Sequence, residues 1–134
     1  MGQCYSVNFK AKLKDADAFV RLTREFAKDW PQDDKDRLTS IGGIINNFVG
    51  DGTVRVAYED GWPVFRSDFD ASYSWDDVMS EWFEAVAPSL VDGSSIEVWP
   101  DEGVWKRTVV GGKASETEYG ECDDEEENGD GDDE

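Results

Sequence analysis

Histidine is absent from all 134 residues, and with it goes the side chain that most often moves protons at neutral pH or ligates a transition metal. Cysteine is almost absent: Cys4 and Cys122 stand near opposite ends of the chain. Two thiols without histidine fall short of the four-ligand set of a structural zinc site, and cytosolic thiols stay reduced, so neither a metal nor a disulfide is expected. Nucleophilic chemistry is not expected either, because no base accompanies either thiol and Cys122 lies among carboxylates that raise its pKa. Long apolar runs are missing, and the first residues form neither a basic nor an apolar leader. Secretory and membrane-spanning readings are therefore set aside, and a cytoplasmic location is expected.

Basic residues are the remaining shortage. Thirteen Lys and Arg face 32 Asp and Glu, a net charge of −19. Residues 1–115 hold 20 acids against all 13 bases, and residues 116–134 add twelve acids and no base. Direct binding of nucleic acid is excluded on this balance, since nucleic acids are held mainly by Lys and Arg on phosphates. The chain is instead suited to a positively charged partner.

Sixteen of the seventeen aromatics precede Glu116. One domain over residues 1–115 and a disordered acidic tail over 116–134 are the expected organisation. Tyr5, Val7, Phe9, Ala11 and Leu13 alternate with polar residues and predict a strand. Asp15 or Asp17 can cap a helix whose stripe is Phe19, Leu22, Phe26 and Trp30, stopped by Pro31. Residues 32–50 show no clean period and receive no assignment. Two runs around Asp60-Gly61 predict a hairpin. Ser74 opens a second helix, with Trp75, Val78, Met79, Trp82, Phe83 and Val86 on one side and Pro88 at its end. Residues 95–99 and 104–110 read as two further strands. The order strand, helix, strand, strand, helix, strand, strand predicts an α+β fold, specifically a ferredoxin-like split β-α-β sandwich with one extra strand, its crossovers joining parallel neighbours.

Candidate sites are then few. Close acid pairs such as Asp68 with Asp70, or Asp76 with Asp77, read as solvated faces in so acidic a chain rather than as catalytic carboxylates, and no enzyme and no cofactor are expected. An EF-hand loop started at Asp124 would place its twelfth ligand one residue beyond Glu134, so a specific calcium site fails. Lys10, Lys12, Lys14, Arg21, Arg24 and Lys28 form the one basic region, for which pairing with neighbouring acids or the tail is the simplest reading. The second helix sets Asp77, Glu81 and Glu84 opposite its apolar stripe with Asp76 at the flank, and no base occurs from Asp68 through Leu90. Carboxylates spaced along a rigid helix can imitate phosphates in a groove lined by Lys and Arg.

The expected partner is therefore a basic nucleic-acid-binding protein or nuclease, engaged through Asp76, Asp77, Glu81 and Glu84 and through the tail acids Glu125, Glu126 and Glu127. Size and charge are those of phage anti-restriction and anti-CRISPR inhibitors, which would act in the host cell cytoplasm. Two alternatives stand beside this reading. One is an interaction or immunity module presenting Trp62, Trp99 or Trp105; the other is a peripheral membrane protein acylated at Gly2 and Cys4, which the net charge disfavours at an anionic leaflet.

Overall fold

A computed structural model describes residues 2–50, 52–101 and 103–120. Strand β1 (Gly2–Lys10) leads to helix α1 (Ala16–Phe26), where the Asp15 carboxylate accepts from the Ala18 N–H at 3.0 Å. Two helices then occupy the unassigned stretch, α2 (Gln32–Lys35) and α3 (Ile41–Val49). Strands β2 (Arg55–Glu59) and β3 (Trp62–Ser72) form the hairpin, with Asp60 and Gly61 both at positive φ as a two-residue turn requires. Helix α4 (Trp75–Val86) follows, then β4 (Ser95–Trp99), β5 (Val104–Val110), β6 (Lys113–Ala114) and β7 (Glu118–Gly120).

The α+β class is confirmed. The sheet runs β2-β3-β1-β4-β5-β6, with β7 also paired to β5, and every pairing is antiparallel. The seven-strand order does not match the exact ferredoxin-like topology, because β6 and β7 add to the sheet beyond the one extra strand expected. The sequence reading required parallel neighbours across the crossovers, whereas β1 pairs antiparallel with both β3 and β4. The chain can do this because the β2–β3 hairpin inserts its second strand between β1 and β2. Past β5 the glycine turn at Gly111 and Gly112 folds the chain back instead of releasing it, and the Asp92 carboxylate accepts from both their N–H groups at 3.0 and 3.1 Å. Strand β7 lies within the stretch expected as tail; residues 121–134 lie outside the described residues.

Alternation along the strands divides the sheet into two faces. Tyr5, Val7 and Phe9 of β1 and Ile96 and Val98 of β4 point toward the helices and are buried. They meet Phe19 of α1, Ile44 and Phe48 of α3, and Met79, Trp82, Phe83 and Val86 of α4. Trp82 centres this core: it stacks on Phe48 with ring centroids 4.8 Å apart at 5°, and its indole N–H donates to the buried Thr23 hydroxyl at 3.0 Å. The opposite face, carrying Cys4, Ser6, Asn8 and Lys10 of β1, has no helix over it among the described residues.

Candidate partner-binding surface

Helix α4 is held by four fully buried apolar side chains, Met79, Trp82, Phe83 and Val86, which set the backbone positions of its outer residues. Asp77, Glu81 and Glu84 are exposed along one side, at the i, i+4, i+7 spacing that stacks them within two turns. At 1.5 Å rise per residue they span about 10 Å. That is one carboxylate per roughly 5 Å, about two-thirds of the axial charge density of a single DNA strand.

Two of the four expected helix acids are tied to the protein itself. Asp76 is half-buried, accepts from the Trp105 indole, and has its carboxyl pushed above the ordinary value by desolvation and by the neighbouring charge of Asp77. Its Oδ1 also receives the Asp77 N–H at 3.0 Å. Glu84 lies 3.6 Å from Nη1 of Arg107, which reaches under the helix from β5. Arg107 is itself buried and donates to the carbonyl of Ser115 at 2.6 Å and to the carbonyl and hydroxyl of Ser80 at 2.9 and 3.2 Å. The face is free of bases in sequence yet not in space, a pairing that separations of 23 residues hide. Asp77 and Glu81 are exposed and form no ion pair among the described residues. Glu125, Glu126 and Glu127 lie outside the described residues, as does Cys122; the chain reaches them from β7, whose Tyr119 is opposite Trp105, beside Asp76.

Among the described residues no ion pair involves Lys10, Lys12, Lys14, Arg21, Arg24 or Lys28, and the tail acids with which pairing was also expected lie outside the described residues from 121 on. Lys10 and Lys12 place their ammonium groups 5.8 and 4.6 Å from the centre of the Trp62 ring, a cation–π arrangement. Arg24 donates to the Leu38 carbonyl at 3.4 Å. The ion pairs among the described residues are Arg55–Asp68, Arg66–Glu59 and Arg107–Glu84. At the other end of the open face, Cys4 is exposed, and its thiol is pushed up by desolvation and then by Asp70, Asp101 and Asp68.

Of the aromatics expected on the surface, Trp105 is buried and faces the helices, while Trp62 and Trp99 are half-buried on the open face. The aromatics left exposed are Tyr58, Tyr73 and Tyr119. A cleft of about 430 Å³ opens between Trp30, Phe69 and Trp75, rimmed by Asp34, Arg37 and Asp70. Its lining carries both signs of charge and selects no ligand class. No group of three or more metal-ligating side chains occurs among the described residues, and no helix there is long and apolar enough to cross a membrane. Neither a protein-family model, a curated protein nor a solved structure matches this chain.

Proposed function

We propose that this chain is a small, non-enzymatic acidic protein that binds and inhibits a basic nucleic-acid-handling protein by occupying its nucleic-acid groove, in the manner of phage anti-restriction or anti-CRISPR inhibitors. The observation that carries the reading is the row Asp77, Glu81 and Glu84 on a helix immobilised by Met79, Trp82, Phe83 and Val86. A helix on such a support keeps the backbone spacing of these residues on binding, so that only their side-chain rotamers remain to be ordered. The acid run after Gly120 begins from the same corner of the sheet and adds long-range attraction, which raises the association rate more than the contact energy. The compartment consistent with this role is the cytoplasm of the host cell.

The test is capture from native lysate at low and high salt, using the full chain, a chain ending at Gly120, and the triple variant Asp77→Asn, Glu81→Gln, Glu84→Gln. Ending at Gly120 keeps β7 in the sheet. A captured nuclease or nucleic-acid-binding protein, displaced by salt and by competing DNA or RNA and lost by the triple variant, is the expected result. A partner held equally by all three chains at high salt would overturn it and favour the interaction module, whose exposed aromatics are then Tyr58, Tyr73 and Tyr119. The acylated alternative draws no support from Gly2, which is the first residue of β1 and sits opposite Ser72.

A further inference from the structure

Strand β2 forms one border of the sheet: it pairs with β3 on one side, and no strand pairs with its other side among the described residues. Its five residues read Arg55-Val-Ala-Tyr-Glu59. Because the turn is a two-residue hairpin, Glu59 and Trp62 form a hydrogen-bonded pair, and the pattern then alternates back along the strand. Ala57 and Arg55 direct their backbone groups to β3, whereas Val56 and Tyr58 direct theirs outward. Pro63, which has no N–H, stands opposite Tyr58, where none is required. The free edge thus offers the N–H and carbonyl groups of Val56 and Tyr58. These two residues also have unusually exposed side chains, 52 % and 73 %, on the helix side of the sheet.

The strand is complementary to itself. Laid antiparallel against a second copy about a two-fold axis through Ala57, Arg55 faces Glu59 of the other chain, and Val56 faces Tyr58. Each Val56–Tyr58 pair exchanges two backbone hydrogen bonds, and Ala57 meets Ala57 at the closely spaced, non-hydrogen-bonded position. On the open face Arg55 is already 3.2 Å from Asp68, and Glu59 is paired with Arg66. The juxtaposition continues these into a row that alternates in sign, from Asp68 and Arg55 of one chain to Glu59 and Arg66 of the other. We propose that β2 is a homodimer interface, in which two copies join their edges into one continuous antiparallel sheet. The occupant is a second copy because charge order, side-chain size and backbone pattern are matched by the strand itself in an isologous contact. Helix α4, tied to β5 through Arg107, lies toward the opposite border, so the acid row stays open in the dimer. Net charge opposes association, which makes the dimer stronger at higher salt.

Light scattering on the full chain tests this directly. A concentration-dependent rise from 15.0 kDa to twice that mass, favoured by salt, is expected. Tyr58→Glu, an exposed substitution, should raise the dimer Kd on the order of a hundredfold, because it buries a carboxylate against an apolar neighbour. Ala57→Cys with Cys4→Ser and Cys122→Ser reads the register, since closely spaced antiparallel pairs have the separation a disulfide needs. It should give a covalent dimer under mild oxidation. A mass of 15.0 kDa up to millimolar concentration overturns the proposal. So does a dimer that Tyr58→Glu leaves intact and Ala57→Cys does not cross-link, because that dimer uses another surface. Circular dichroism confirms that each variant remains folded.

Discussion

Replacing Arg107 and Glu84 one at a time should have very unequal effects, although the two form an ion pair. Arg107 is 7 % exposed and makes its hydrogen bonds to Ser115 and Ser80. Glu84 is 66 % exposed at its side chain and approaches only to 3.6 Å. In Arg107→Met the stem's packing is kept, but the Ser115 carbonyl loses a charged donor. Ser115 is half-buried, so leaving its carbonyl unmet costs about 1–2 kcal/mol, and the lost contacts to Ser80 add about 1 kcal/mol, for a total of roughly 2–3 kcal/mol. In Glu84→Gln only a solvent-screened pair is lost, worth about 0–1 kcal/mol.

Urea unfolding followed by tryptophan fluorescence measures both, since six Trp report on the domain. The expected result is a midpoint shift for Arg107→Met at least twice that for Glu84→Gln, with unchanged slope. Comparable losses of about 2 kcal/mol or more at both positions would mean instead that the carboxylate neutralises a buried guanidinium. Glu84 would then be a structural residue, and only Asp77 and Glu81 would remain for a partner. The stability measurement therefore bears on the proposed surface before any partner is in hand.

Thr23→Val should cost about 1–3 kcal/mol, because it removes the acceptor of the buried Trp82 indole N–H without changing side-chain shape; thermal unfolding reads it, and a neutral result would mean that the indole finds another acceptor. Gly43→Ala should destabilise by about 1–3 kcal/mol, since a Cβ there would lie 2.6 Å from the Arg37 carbonyl oxygen. Gly42→Ala meets nothing within 4 Å and should instead stabilise α3 by up to about 1 kcal/mol; equal effects at the two positions would refute the close approach. Asp68, held by Ser6 and Arg55, and Asp92, held by the Gly111 and Gly112 N–H groups, both lie below the ordinary value of 3.8, so their contribution is present above that pH and lost as pH falls below it. Asp76 is raised and has the opposite sign: its ionised form weakens the fold above its folded-state value, and Asp76→Asn should flatten the stability profile between pH 3.8 and neutrality, which denaturation across that range checks.

Period-two and period-3.6 patterns made β1, α1 and α4 legible, because each has one buried face and an unambiguous start or stop, while the β2–β3 hairpin was legible from its Asp60-Gly61 turn although β2 itself buries neither face. Helix α3 was equally periodic: Ile41, Ile44, Ile45, Phe48 and Val49 follow helical spacing, and the Ser40 hydroxyl accepts from the Gly43 N–H at 3.1 Å. Gly42 and Gly43 in its first turn and Asn46 and Asn47 in its second obscured it, since glycine and asparagine are poor helix formers. The glycine at 43 is there for a different reason, the carbonyl of Arg37 packed against it. Strand pairing was the larger gap. Local pattern says that a segment is a strand and which face it buries, but antiparallel or parallel neighbours depend on where a hairpin inserts, which no single segment encodes.

The candidate site shows the same limit in its charges. Counting along α4 gives four acids and no base, and from that count the helix is a uniformly negative surface. Folding brings Arg107 from 23 residues away beneath Glu84 and sets Trp105 against Asp76, so half of those acids are engaged by the sheet instead of standing free for a partner. These tethers also fix the row's position: a helix pinned by Arg107 on its underside presents Asp77 and Glu81 at a constant height above β5. A surface meant to match a rigid groove gains from carboxylates carried on a fixed helix backbone, because only their side-chain rotamers remain to be ordered on binding. The proposed recognition therefore depends on Arg107 as much as on the acids. Arg107→Met should weaken partner binding through loosened geometry, although it makes the helix face more negative, and tighter binding by that variant would show that charge alone, without position, is what the partner reads.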